Sequence, residues 1–393
     1  MRNLIIDQLR GLCMLGVIGI HVGSVSANAN NFSLYMLLEI LSRYSVPSFF
    51  FVSGYGLFCA EKQLLNTGTL GKLDYFAFIK KRLRGAGLPY FCWSMFFTLY
   101  FYKVCPPGWV SLEIKELAYN LFYGLCCYHL YFMVILLWFY ASYPLWRRLL
   151  VWMLQHKLVI TLPLLFLFNL IFNWFSINYN VVTTGWPMWA KNFYDFRLNY
   201  VPFHYLLIFM SGGLAALYWH QLLSWLRTHR LTVLLIYFAT IAYDLGSCWY
   251  SYKYEGYNLE ALANTYHQLS PQGLLYTIGS LLCFCMVLDW LENKLPVQSP
   301  HASSVATSPT TWHTVLAKTI NLLSSYATLI YFIHPLFLDI YTRLALKFGI
   351  VLTSRKIVFL YFLLVGTSLC SSILLQQIFQ RSQTLRLLFT GKK

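Results

Sequence analysis

The sequence predicts an all-α, polytopic integral membrane bundle of about ten transmembrane helices. Three observations predict it. Apolar residues make up 58% of the 393, aromatics 19%, and charged residues only 11%. A soluble domain carries roughly 25% charged residues, so a water-soluble enzyme is excluded. The apolar content equally excludes a disordered chain. Thirdly, the apolar residues gather in runs of about 20, the length a helix needs to cross the hydrocarbon core.

Ten such runs are read along the chain, near 4–26, 34–60, 86–103, 128–146, 158–177, 200–219, 231–249, 271–289, 319–341 and 357–380. The first follows Arg2 and ends at Ala27-Asn28-Ala29, superficially like a secretory signal with its cleavage site. Asp7 and Arg10 interrupt the uniform apolarity a signal wants, so the run is read as a retained span. No run repeats another closely enough to indicate an internal duplication. Residues 291–318, between the eighth and ninth runs, are rich in Ser, Thr, Pro and His and are expected to form a flexible cytoplasmic linker. The whole chain, 1–393, then makes one transmembrane domain.

The net charge of +16 comes from 29 Lys and Arg against 13 Asp and Glu. With the N-terminus inside, 18 basic residues fall in inner segments and 9 in outer ones, which places both termini in the cytoplasm. The basic balance is therefore read as topology and contact with membrane lipids, and no nucleic-acid partner is expected. The last outer loop, with Arg343, Lys347, Arg355 and Lys356, runs against the rule. Most of the ten cysteines sit in apolar runs, and Cys126-Cys127 and Cys283-x-Cys285 lack metal-ligand spacing. They read as packing residues, and no metal site is expected.

An ionisable side chain inside a span is expensive and is a functional candidate for that reason. The first run holds Arg10 and His21. Eleven residues make three helical turns plus 20°, so both project from one face, about 16 Å apart along the axis. Asp7, three residues before Arg10, can pair with it. The plain alternative is an interfacial anchor at Arg10 and a lone buried histidine at His21. The second run holds Arg43, and Pro47 removes the N–H that would bond the Arg43 carbonyl. A guanidinium beside a broken helical bond is tolerated in lipid only where it lines a polar cavity. His129 opens the fourth run, and His334 lies in the ninth, before Pro335. Counting from helix ends places His21, Arg43, His129 and His334 in one layer, so a shared cavity is expected there. Lys80-Lys81-Arg82-Leu83-Arg84 is the densest basic run, an inner loop that suits anionic lipid or a polyanionic cytoplasmic cofactor.

These residues resemble a known family. Asp7-Gln8-Leu9-Arg10-Gly11-Leu12 with His21 resembles the first-helix signature of the acyltransferase family 3 membrane O-acyltransferases, an arginine and a histidine separated by ten residues. Arg43-Tyr44-Ser45-Val46-Pro47 running into Phe49-Phe50-Phe51-Val52-Ser53-Gly54-Tyr55 is similar to that family's second-helix motif. His129-Leu130-Tyr131-Phe132 with Tyr140 and Pro144 resembles its fourth-helix motif, with Tyr131 in place of the usual tryptophan. Ser325-Tyr326 and Tyr331-Phe332-Ile333-His334-Pro335 resemble its late segment. The matches lie in family order across residues 5–340, and Arg43-x-x-Val46-Pro47 looks closest to the branch resembling the enterobacterial common antigen O-acetyltransferase. One departure is that Arg84 lies five residues before Pro89, where the family often has three or four.

The resemblance implies transfer of an acyl group, usually acetyl, from cytoplasmic acyl-CoA to a hydroxyl of a sugar, glycolipid or polysaccharide precursor. It also implies a bacterial inner-membrane location. Arg10, Lys81, Arg82 and Arg84 are then candidates for the cofactor's phosphates. His21 is the candidate base, a role suited to imidazole near neutral pH, with Asp7 paired to Arg10. Arg43 would stabilise the developing oxyanion or hold the acceptor, and His129 and His334 would orient hydroxyls or support His21. A covalent relay through His21 is equally open. The alternative function is a glycolipid or polysaccharide transporter, which also places ionisable groups at mid-membrane.

Overall fold

The computed structural model describes residues 3–28, 31–64, 68–178, 183–294 and 312–392, and all regular structure among them is helical. In chain order the principal helices are α1 (Leu4–Asn28), α2 (Ser45–Phe58), α3 (Leu88–Val104), α4 (Tyr131–Ala141), α5 (Tyr143–Gln155), α6 (Leu158–Asn178) and α7 (Leu206–Leu217). They continue as α8 (Trp219–Thr228), α9 (Arg230–Tyr254), α10 (Pro271–Lys294), α11 (Trp312–Lys347), α12 (Ser354–Gln380) and α13 (Gln383–Thr390). Among the described residues six helices, α1, α6, α9, α10, α11 and α12, are long and apolar enough to cross a membrane. Taken as one span, the bent pair of Pro202–Leu217 with α8 brings the number to seven.

The expected ten is therefore not reached by length and composition, because three apolar runs form interrupted helix. The second begins with a π-helical turn, Tyr35–Ile40, bends at Leu41–Tyr44, and resumes as α2. Pro47 falls in the first turn of α2, where a missing N–H is tolerated, and the ladder restarts with Ser48 N to Tyr44 O at 3.0 Å. The third run is entered through Tyr75–Arg82 and a π turn, Leu83–Gly87. The segment Lys80–Arg84, expected as a loop, is thus helical. The fourth run divides at Ser142 between α4 and α5. Of the expected 291–318 linker, 295–311 lie outside the described residues, while 291–294 and 312–318 are helical.

Two compact units divide the chain: Met1–Tyr55 with Tyr218–Ser372, and Gly56–Leu217 with Ile373–Lys393. In the first unit α1 packs against α10, α11 and the Tyr35–Ile40 turn. Small residues on α1 permit that approach. A Cβ on Gly11 would lie 2.6 Å from the Ile320 carbonyl oxygen, and one on Gly23 would lie 2.7 Å from the Glu39 amide. Tyrosine hydroxyls serve backbone carbonyls that lipid cannot: Tyr44 donates to Leu12 (3.2 Å), Tyr361 to Leu15 (3.2 Å), and Tyr276 to Leu41 at the bend (2.8 Å). Apolar side chains that α9 leaves exposed, such as Leu231, Leu235 and Phe238, suit a lipid-facing surface.

In the second unit the 3₁₀ turn Cys59–Glu61 that follows α2 carries Glu61, which receives a bidentate ion pair from Arg147 of α5 at 2.7 and 3.0 Å. Arg147, counted by sequence among the loop charges, is in fact buried. On α6, Asn169, Asn173 and Ser176 form a buried polar stripe at helical spacing, while Val159, Ile171 and Trp174 are exposed. The amphipathic α13 lies on α3 and the Leu83–Gly87 turn, with Trp93 Nε1 donating to Phe389 O at 3.2 Å.

Candidate active site

The first unit brings two of the sequence-predicted histidines together. His21 of α1 and His334 of α11 stack with ring centroids 5.2 Å apart and planes at 24°. They are separated by more than 300 residues of chain, so this pairing is a product of the fold. His334 is fully buried. Its Nδ1 lies 3.0 Å from the Ile330 carbonyl oxygen, one turn back along α11. A carbonyl can only accept, so Nδ1 carries the hydrogen and Nε2 is the basic nitrogen. Pro335 follows without breaking α11, although it offers no N–H to Tyr331.

Lower on α1, Arg10 pairs with Asp7 at 3.3 Å, as the spacing predicted. The Asp7 backbone is tied to α11, because Ser324 Oγ donates to its carbonyl oxygen. The Arg10 side chain remains 38% exposed, and a guanidinium with five N–H groups has donors to spare beyond one carboxylate. Arg10 and His21 belong to one uninterrupted helix. They therefore lie on one face, about 16 Å apart along it.

Arg43 sits at the bend before α2 and is 2% exposed. Its hydrogen bonds define a second cluster. Nη2 donates to Tyr35 Oη (3.2 Å), Glu39 Oε1 (3.4 Å) and the Ala263 carbonyl oxygen (3.4 Å), while Nη1 has no hydrogen-bond partner among the described residues. Asp244 of α9 lies within the field of this guanidinium, is 1% exposed, and has no hydrogen-bond partner among the described residues on either carboxylate oxygen. His267, between α9 and α10, accepts the Leu269 amide on Nδ1 at 3.0 Å. Burial, with the Arg43 charge adding to it, lowers its pKa to about 4. Tyr35, Glu39, Asp244 and His267 were not singled out by sequence. Glu39 and Asp244 carried the same signal as Arg43, a charge inside an apolar run.

The remaining predicted residues belong to the second unit. His129 lies in the turn two residues before α4, rather than in the helix, and is 2% exposed. Its ring meets the edge of Phe97 at 5.4 Å and 77°. Arg82 places its guanidinium 5.2 Å from the Phe78 ring centroid and 5.3 Å from that of Tyr140, two cation–π contacts. Lys81 is exposed and Arg84 half-buried on the π turn. Among the described residues no grouping of His, Cys, Asp and Glu suits a metal ion.

A helical membrane protein whose first helix carries a paired arginine and, three turns on, a histidine stacked on a second histidine is equipped for acid–base chemistry within the membrane. Comparison with protein families identifies which one. The model of the acyltransferase domain family, acyltransferase family 3, matches residues 3–376, and the chain belongs to that family: it is a membrane acyltransferase. No curated protein and no solved structure matches it significantly.

Proposed function

We propose that this acyltransferase moves an acetyl group from cytoplasmic acetyl-CoA to a hydroxyl of a cell-surface sugar, a glycolipid or a polysaccharide precursor. The setting is a bacterial inner membrane, with both chain termini in the cytoplasm. The observation that carries the reading is the stacking of His21 on His334 at 5.2 Å. In this reading a His21 ring nitrogen takes the proton of the acceptor hydroxyl. The oxygen attacks the thioester carbonyl carbon, the C–S bond breaks, and the departing CoA thiolate recovers a proton from the imidazolium. His334, its orientation set by Ile330, holds the His21 ring in place. Arg10, restrained by Asp7, binds a CoA phosphate; the sequence separately offers Lys81, Arg82 and Arg84 for the same cofactor. Arg43 binds the acceptor, and His129 has a supporting role. The Arg43-x-x-Val46-Pro47 pattern supports placement near the branch resembling the enterobacterial common antigen O-acetyltransferase.

Purified protein assayed for acetyl-CoA consumption and sugar acetylation tests this directly. His21→Ala and His21→Gln are expected to lower turnover by about 10²–10⁴-fold at unchanged membrane abundance. Wild-type turnover in either variant removes His21 from the chemistry. Arg10→Ala is expected to diminish the thermal shift given by acetyl-CoA, and an unchanged shift counts against the cofactor assignment.

A further inference from the structure

Asp244 has no role in the chemistry above, yet its placement demands an explanation. It lies fourteen residues into the 25-residue helix α9, on a segment otherwise rich in apolar side chains. With 1% exposure and neither carboxylate oxygen hydrogen-bonded among the described residues, it departs from the rule that buried polar groups find partners. Arg43 departs from it in the complementary sense: Nη2 is held by three acceptors, and Nη1 has none. An unsatisfied acceptor and an unsatisfied donor thus belong to one neighbourhood of the fold, since α9 packs on the Tyr35–Ile40 turn and Tyr35, which bonds Arg43, clusters with Cys248, one turn from Asp244.

The two side chains come from distant parts of the chain, and each is fixed by its own surroundings. Arg43 is anchored by Tyr35, Glu39 and Ala263. Cys248, one turn beyond Asp244, packs in an apolar cluster with Tyr35, Ile40, Leu259 and Leu262. The pair therefore cannot simply relax toward water. A ligand that satisfies both must donate to a carboxylate and accept from a guanidinium. A bare cation fails the second requirement, because Arg43 repels it. A carboxylate or phosphate fails the first, because Asp244 and Glu39 repel it. A hydroxyl does both, and two neighbouring hydroxyls can engage both oxygens of Asp244 while one of them accepts from Nη1.

We infer that Asp244 and Arg43 form a clamp for neighbouring hydroxyls of a neutral sugar, making Asp244 a specificity-determining residue for the acceptor. This rests on the proposed acyl transfer to a carbohydrate and names the part of the protein that selects it. Binding and turnover fail separately, so each can be measured without the other.

The experiment uses the purified full chain in detergent. A panel of neutral methyl hexopyranosides and their single-deoxy analogues is titrated calorimetrically without acetyl-CoA. Wild type is expected to bind at least one hexoside and to lose about tenfold or more in affinity when one particular hydroxyl is removed. In Asp244→Asn that deoxy penalty is expected to vanish, because the hydroxyl has already lost its charged partner. Arg43→Lys, which keeps the charge and loses the second donor, is expected to show a reduced penalty and keeps the test open should Asp244→Asn not fold. A deoxy penalty of the same size in both variants overturns the clamp, as does failure of wild type to bind any hexoside. Hexoside binding without acetyl-CoA consumption leaves the clamp standing and refutes acetyl transfer from acetyl-CoA. Acetylation whose acceptor KM is unmoved by Asp244→Asn does the reverse.

Discussion

Each unit contains a buried polar cluster, and the two differ in whether their hydrogen bonds are complete. In the second unit Asn169 donates to the Phe203 and His204 carbonyls (3.3 and 3.1 Å) and accepts the Leu207 amide (3.0 Å). His204 Nδ1 lies 3.0 Å from Asn173 Oδ1, and Arg197 Nε reaches the Ser176 carbonyl oxygen at 2.7 Å. These bonds serve the backbone where the short 3₁₀ turn Pro202–Tyr205 enters α7, as irregular backbone in lipid requires. In the first unit the Arg43 cluster leaves, among the described residues, a donor (Arg43 Nη1) and three acceptors (Glu39 Oε2 and both Asp244 carboxylate oxygens) unserved. A completed network explains itself as structure, whereas an incomplete one needs a ligand to explain why it persists.

The largest effect should come from breaking the completed network. Asn169→Leu strands the Leu207 amide and removes a donor from two carbonyls, at a cost of roughly 2–4 kcal/mol. For a unit of this size that corresponds to a melting temperature lower by roughly 8 °C. Turnover per folded molecule should stay at the wild-type value, measured after size exclusion of the detergent-solubilised protein. A selective loss of kcat with unchanged melting would move Asn169 from scaffold to site and erase the contrast.

Gly11→Ala tests the packing on which the histidine pair depends. The new methyl meets the Ile320 carbonyl, a backbone atom that cannot swing aside, so α1 must shift from α11 at about 2 kcal/mol. Because the His21–His334 stack spans the same two helices, melting temperature and turnover should fall together. Loss of stability with full activity would show that the stack does not need its present geometry.

Asp244→Leu should act in the opposite direction on stability. It replaces a buried carboxylate without partners by an apolar side chain of similar size, a change that is often stabilising. A rise in melting temperature of about 3 °C is expected, accompanied by loss of acceptor use. Lower stability would mean that Asp244 has a structural partner, and the distinction between the clusters would weaken.

How much of this was legible in the sequence depended on whether a signal was local. Apolar runs gave the helices, and the Asp7–Arg10 pair followed from spacing alone. The His21–His334 contact could be anticipated only as shared depth, since the chain between them carries no record of which helices become neighbours. Glu39 and Asp244 were legible and passed over: each is a carboxylate inside an apolar run, and Glu39 is one helical turn from Arg43. Arg147 misled in the other direction, because counting charges by loop cannot see Glu61 arriving from another helix. The π turn at Tyr35–Ile40 contains neither Pro nor Gly and had no sequence mark. The stripe Asn169, Asn173, Ser176 had a helical period, but its partner lies about thirty residues away in a turn that sequence placed inside a span.

His267 provides the mildest test, through pH. Its folded pKa of about 4 lies below the ordinary value of 6.5, so the unfolded chain binds its proton more readily than the native one. The native preference for neutral His267 is fully expressed above pH 6.5. It is lost progressively as pH falls from 6.5 towards 4. Melting temperature should therefore decline over that window, and His267→Gln, which has no proton to take up, should flatten the decline by about 2 °C. The Leu269 amide can still find the side-chain oxygen of the introduced glutamine, so the variant separates titration from lost bonding. If the pH profiles of wild type and variant coincide, neither burial nor the charge of Arg43 disfavours protonation of His267. The first unit's cluster would then end at Asp244.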